Sequence, residues 1–277
     1  MRHPIPAALA IVAVTMSTAA CASPAQPQPS HPAIEHVHGI ESSPSGDDIL
    51  VATHRGLYRL ADGRLDGPIG GHDFDAMGFT VADGTMFASG HPGPSTPPEL
   101  GAPDLGIIRS DDGGGSWAPV SLSGEADFHV LTAGPDGALV GIATRAPELL
   151  TSRDAGLSWA STEAPPAVDL VATEQRLFAA TEQGLQSSAD GGQTFTLLDG
   201  VPLLYSIDAL SSGALVGVDT DGEVRQETAG DGWKRVGSVV GVASAFSVVA
   251  GDRLLLADDR GIVELTEDGA VVLAPAG

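Results

Sequence analysis

Basic and aromatic residues are both scarce in this chain of 277 residues. Thirteen Lys and Arg stand against 36 Asp and Glu, for a formal net charge of −23, and Phe, Trp and Tyr together make up 4%. A surface this acidic repels phosphate backbones, which argues against nucleic acid as a partner. It suits a cationic ligand or a metal ion, and it also serves plain solubility. The single cysteine, Cys21, allows neither an intramolecular disulfide nor a Cys-x-x-Cys pair. The chain holds no Gly-rich phosphate loop, no Gly-x-Ser-x-Gly elbow and no His-Glu-x-x-His pair, so those chemistries lack their signatures. Beyond the N-terminal leader, no apolar run is long enough to cross a membrane. Glycine, by contrast, is abundant. The chain has 36 Gly and 20 Pro set between short Val, Leu, Ile and Ala runs, the pattern of an all-β chain.

Residues 1–20 read as a secretory signal peptide. Arg2 and His3 precede the apolar run Ala7 to Val14, which is followed by the small residues Ser17, Thr18, Ala19 and Ala20. The stretch Thr18-Ala19-Ala20-Cys21 resembles a bacterial lipobox, with Thr18 in place of the usual leucine. That resemblance implies a lipid-modified Cys21 as the mature N-terminus. Residues 21–33, rich in Pro, Ser and Gln, then form a tether that holds a domain off the membrane. The expected location is the outward face of the cell membrane, touched only through this anchor. Cleavage near Ala20 or Ala22 with free secretion is the alternative.

One phrase recurs three times: Ser110 to Trp117, Ser152 to Trp159 and Ser188 to Phe195 each read Ser-x-Asp-x-Gly-x-Ser/Thr-aromatic. The key residues Asp112, Asp154 and Asp190 lie 42 and 36 positions apart, which marks a repeat architecture. From residue 34 to 277 the chain divides into six units. Their third strands start at positions 56, 106, 148, 184, 222 and 261, and the first interval is lengthened by a Pro/Gly-rich insertion from Gly90 to Pro103. Four short antiparallel strands per unit of about 40 residues predict one six-bladed β-propeller domain. Seven blades are the alternative count, and a monomer is expected.

Within the phrase, the Asp carboxylate accepts backbone N–H bonds in a tight turn and the Gly supplies a positive φ. The Ser or Thr hydroxyl ties the turn, and the aromatic wedges between blades. These phrases resemble the Asp-box, or BNR, repeats of bacterial sialidase-like propellers. A degenerate fifth copy spans Thr228 to Trp233, with Thr228 where the Asp belongs. The first and sixth units keep only the turns Asp62-Gly63 and Asp268-Gly269. The three aspartates read as turn-formers, and the fold requires no cofactor.

Antiparallel strand order puts the start of each first strand and the turn between the second and third strands on one rim. Six histidines fall there: His36, His38, His72 and His129 at first-strand starts, and His54 and His91 at the turns. His36 and His38, two apart on a strand, project to one side. With Asp73, Asp75 and Asp127 nearby, this rim is the expected ligand-binding site for a small molecule, a glycan or a metal. His36, His38, His72 and His129 are the candidate ligands for Cu(II) or Zn(II). The plain alternative for each histidine is a hydrogen-bonded spacer at a strand end.

The sialidase resemblance implies a competing enzymatic reading, exo-glycoside hydrolysis on the rim away from the Asp boxes. There an arginine triad holds the substrate carboxylate, and Tyr and Glu form the nucleophile pair. Arg55, Arg145 and Arg260, with Tyr205 and Glu182, are the candidates for those roles. The Arg-Ile-Pro phrase of that family and an acid loop are missing. A third reading is a scaffold for an envelope protein, because propellers host many binding roles.

Overall fold

The computed structural model describes residues 36–230 and 232–276. The leader, Cys21 and the tether lie outside the described residues, as does Asp231 of the degenerate fifth copy. The described chain is all β, with two short 3-10 turns at Ile69–Gly71 and Pro98–Leu100.

Blade one is β1 (Val37–Ser42), β2 (Ile49–Thr53), β3 (Gly56–Ala61) and β4 (Arg64–Asp66). Blade two is β5 (Asp75–Ala82), β6 (Thr85–His91), β7 (Ile107–Ser110) and β8 (Ala118–Ser121). Blade three is β9 (Phe128–Ala133), β10 (Leu139–Ala143), β11 (Ala146–Ser152) and β12 (Ala160–Glu163). Blade four is β13 (Ala167–Ala172), β14 (Leu177–Thr181), β15 (Gly184–Ser188) and β16 (Thr196–Leu197). Blade five is β17 (Leu204–Ala209), β18 (Leu215–Asp219), β19 (Glu223–Thr228) and β20 (Gly232–Ser238). Blade six is β21 (Ala245–Val249), β22 (Arg253–Asp258), β23 (Gly261–Thr266) and β24 (Gly269–Pro275). In every blade four consecutive strands pair in sequence order and antiparallel, so the protein is a six-bladed β-propeller.

A blade is apolar on both faces and buries them only against its neighbours. Six buried apolar clusters fill the seams, one for each pair of adjacent blades. The ring closes between blades six and one, where Val37, Ile40 and Val51 pack with Val249, Leu255 and Ile262. Each fully buried aliphatic side chain of this size contributes about 1.5–3 kcal/mol. Among the described residues no strand is exchanged across this closure. A hydrogen bond from Ala250 N to Ser42 Oγ (2.8 Å) joins the two blades instead.

The repeated turns are near copies of one another. Ser110, Ser152 and Ser188 each accept the backbone N–H of the turn glycine at 2.8–2.9 Å. Each also donates to the turn aspartate at 2.7–2.8 Å. The second hydroxyl, of Ser116, Ser158 or Thr194, donates to the other carboxylate oxygen at 2.5–2.6 Å. Those hydroxyls, and then the backbone N–H groups, hold Asp112 and Asp154 down to about 2 and push Asp190 lower still. The turns also tie adjacent blades together. Gly156 O accepts from Ser121 Oγ of blade two (2.5 Å), and Trp159 Nε1 donates to that same hydroxyl (3.1 Å). In the next seam Thr162 Oγ1 donates to Gly192 O (3.0 Å).

Candidate functional site

The innermost strands β1, β5, β9, β13, β17 and β21 line a central channel. In the first five of these blades the register shifts by one residue at the same place, and the skipped residues are His38, Met77, His129, Val168 and Tyr205. A β-bulge frees the extra residue from the ladder and re-aims its side chain. All five line the channel mouth. Deeper in the channel are Glu41, Asp169 and Asp208. Burial, reinforced by the charge of Asp208, pushes the Glu41 carboxyl up to about 8 against a hydrogen bond from Thr80. Burial likewise raises Asp169 to about 6, although it accepts bonds from Ser206 Oγ (3.0 Å) and Ile207 N (2.9 Å) of the next blade.

At the rim, two clusters assemble from the first three blades. In the first, His38 Nε2 lies 3.0 Å from His54 Nδ1 and 3.2 Å from Asp75 Oδ1, and His54 Nδ1 lies 2.7 Å from Asp75 Oδ2. Two protons satisfy both carboxylate contacts, with His54 Nδ1–H donating to Oδ2 and His38 Nε2–H to Oδ1. The 3.0 Å contact between the two ring nitrogens is then left without a proton to share. Burial alone would raise the Asp75 carboxyl, yet the hydrogen bonds and charge of His38 and His54 outweigh it and hold that carboxyl below its ordinary value. Donor atoms around a transition-metal ion, at bond lengths near 2.1 Å, lie about 3.0–3.4 Å apart, close to the edges seen here.

The second cluster runs Arg145, Asp104, His91, Asp127, His129. Arg145 Nη2 approaches Asp104 Oδ2 at 2.8 Å and bonds Oδ1 at 3.1 Å. His91 stands between the two carboxylates, with Nδ1 3.4 Å from Asp104 and Nε2 3.3 Å from Asp127, while His129 Nε2 lies 2.7 Å from Asp127. Asp104 and Asp127 are only 1% and 2% exposed. Among the described residues, three buried carboxylate oxygens lack a well-formed hydrogen bond: Asp75 Oδ1, Asp104 Oδ2 and Asp127 Oδ1. All three belong to this rim; ion-pair contacts from His38 (3.2 Å) and Arg145 (2.8 Å) reach the first two, which leaves Asp127 Oδ1 as the unpartnered atom. Such groups are rare in folded proteins and call for a bound ion, a water or a functional role.

The other sequence candidates are placed as follows. His36 precedes β1 with φ 52°, and its ring packs on His54 at 4.7 Å. The strand geometry that paired it with His38 does not apply there. His72 joins neither cluster. Its Nε2 donates to Gly115 O (3.1 Å) in the repeated turn of blade two. Asp73 is taken up by Ser95 and Thr96, where it closes the insertion. Arg260 is bound to Asp258 and to Ser238 O, Arg145 to Asp104, and Arg55 lies exposed in the β2–β3 turn. These contacts do not join the three arginines. Tyr205 lines the channel mouth, and Glu182 is exposed between β14 and β15. Asp104 was not anticipated: an acid at the end of a Pro/Gly-rich insertion has no periodicity to mark it.

The class this architecture defines is the β-propeller. No protein-family model and no curated protein sequence matches the chain. Solved structures with a similar fold include virginiamycin B lyase from Staphylococcus aureus, 16% identical, covering 84% of this chain and 82% of that one with a TM-score of 0.54. A gluconolactonase from Xanthomonas campestris is 15% identical, covers 83% and 86%, and reaches a TM-score of 0.61. YCF48 bound to D1 peptide is 12% identical, covers 87% and 82%, and reaches 0.54. At these identities the likeness is one of fold, and the neighbours include enzymes and a peptide-bound protein alike.

Proposed function

We propose that the protein is an exported, lipid-anchored β-propeller of the Asp-box type that binds a transition metal at its histidine-bearing rim. The leader and the Cys21 phrase support export and anchoring. The three turns with one shared hydrogen-bond network support the Asp-box assignment. The metal reading is carried by the convergence of His38 Nε2, His54 Nδ1 and Asp75, whose donor atoms lie at the spacing that the ligands of one cation take. Two imidazoles and a carboxylate suit Cu(II) or Zn(II), with Cu(II) bound more tightly by the general order of divalent affinities. Three protein donors leave a coordination position open for water or a ligand at the channel mouth.

Calorimetric titration with Cu(II) and Zn(II) tests this. The native protein should bind, and His38→Ala combined with His54→Ala should lose at least about 100-fold in affinity at this site, the upper end of what outer-shell changes alone cost. No binding by the native protein, or unchanged binding by the variant, overturns the reading. Turnover of a fluorogenic sialoside would replace it with glycoside hydrolysis, which the separate engagement of Arg145 and Arg260 disfavours.

A further inference from the structure

We infer that His91, His129 and Asp127 form a second transition-metal site beside the first. The inference rests on the metal-binding reading of the rim and deepens it. Asp127 is nearly sealed from solvent, yet its Oδ1 has no partner and its Oδ2 is approached by both histidines. The His91 contacts, at 3.3 Å to Asp127 and 3.4 Å to Asp104, are longer than well-formed hydrogen bonds. A buried carboxylate is costly unless it is paired and hydrogen-bonded, and the 2.7 Å contact from His129 supplies that on one oxygen only. Arg145 already meets Asp104, so Asp127 is the carboxylate that remains for an ion.

The donor set repeats that of the first site: two imidazoles and one aspartate, with one donor atom from each lying within 4.8 Å of the others in both clusters. The bulge is shared: His129, like His38, is the bulged residue of an innermost strand. His91, like His54, stands at the end of a second strand or in the turn after it, but it comes from the preceding blade, whereas His54 belongs to the blade of His38. The two clusters adjoin because Asp75 of the first and His91 of the second are register partners on β5 and β6. Paired residues of an antiparallel ladder have Cα atoms about 4.5–5.5 Å apart. Two separate ions at the mouth of one channel therefore follow, each with room for an exogenous ligand.

Metal content after EDTA stripping, reloading with Zn(II) or Cu(II) and extensive dialysis is the test. The native protein should hold two equivalents, His129→Ala one, His38→Ala one, and the double variant none. His91→Gln is an independent check, and both second-site histidines are exposed enough (45% and 43%) for the fold to survive, as circular dichroism would verify. The copper-loaded native protein should show two superimposed paramagnetic resonance spectra, of which His129→Ala removes one. A single equivalent that His38→Ala abolishes and His129→Ala leaves intact overturns the second site while the first stands. Two equivalents retained in both His129→Ala and His91→Gln also overturn it. No metal in the native protein overturns both.

Discussion

Asp75 and His91 are register partners at the ends of β5 and β6, yet their side chains serve different clusters. Blade two is thus the shared wall of the rim. Asp75→Ala should abolish metal binding at the first site and leave one equivalent at the second. Because Asp75 is part-buried, and two imidazoles lose their shared acceptor, stability should fall by about 1–3 kcal/mol as well. Stoichiometry and urea melts on the same preparation check both. Loss of both equivalents would mean that the clusters are one site.

The repeated turn makes a separate stability prediction. Ser152 is fully buried, and its Oγ accepts the Gly156 N–H at 2.8 Å. Ser152→Ala leaves that buried donor without an acceptor, at a cost of about 1–3 kcal/mol. Ser158→Ala, at the exposed end of the same network, should cost less. Equal losses in chemical denaturation would mean that the buried serine has no special role in the turn.

Stability should depend on pH in two opposed windows. Asp112 and Asp154 are held down to about 2 in the folded protein, chiefly by the Ser116 and Ser158 hydroxyls. Their contribution is present above their ordinary value of 3.8 and is lost as pH falls toward 2. Glu41 is raised from 4.5 to about 8 and Asp169 from 3.8 to about 6, both chiefly by burial. The folded state then holds protons that the unfolded chain has released, so stability falls as pH rises through those windows. The slope is at most about 1.4 kcal/mol per pH unit for each group. Thermal melts should peak at about pH 4, where the first window ends and the second begins. Glu41→Gln should flatten the decline from pH 5 to 9, and a native melting temperature constant over that range would refute the assignment.

Much of this fold is legible in the residues because the repeated phrase contains its own hydrogen-bond network. Ser152, Asp154, Gly156 and Ser158 are donor, acceptor, backbone bend and second donor within seven positions. The strand spacing likewise anticipates β2 at Ile49–Thr53 and places the insertion between β6 and β7. The rim was legible in outline only. A bulge arises from a mismatch in count between two strands, and a single strand's residues do not display it, so the re-aiming of His38 and His129 was hidden. Simple alternation grouped His36 with His38, whereas the left-handed backbone at His36 turns its ring onto His54. His72 carries the same local signal as its neighbours, but a backbone carbonyl forty-three positions away takes it up.

Gly90 gives the sharpest test of how the rim is held. Its φ of 140° lies where side-chain-bearing residues are rare, and a Cβ there would collide with the Asp75 carbonyl oxygen. Its own carbonyl accepts the Leu105 N–H at 2.8 Å, which fixes the return of the insertion beside Asp104. Gly90→Ala should therefore spread the ends of β5 and β6 and move Asp75 and His91 together. Metal affinity should drop at least about tenfold at both sites, since catalytic and binding groups tolerate displacements of only about 0.5 Å. The control is Gly84→Ala, at the opposite end of the same hairpin. Its φ is also positive, at 77°, but nothing lies within 4 Å of the added carbon. It should cost about 1–2 kcal/mol of stability and leave metal binding unchanged. If Gly90→Ala loses only stability and keeps both affinities, the strand ends do not position the two clusters.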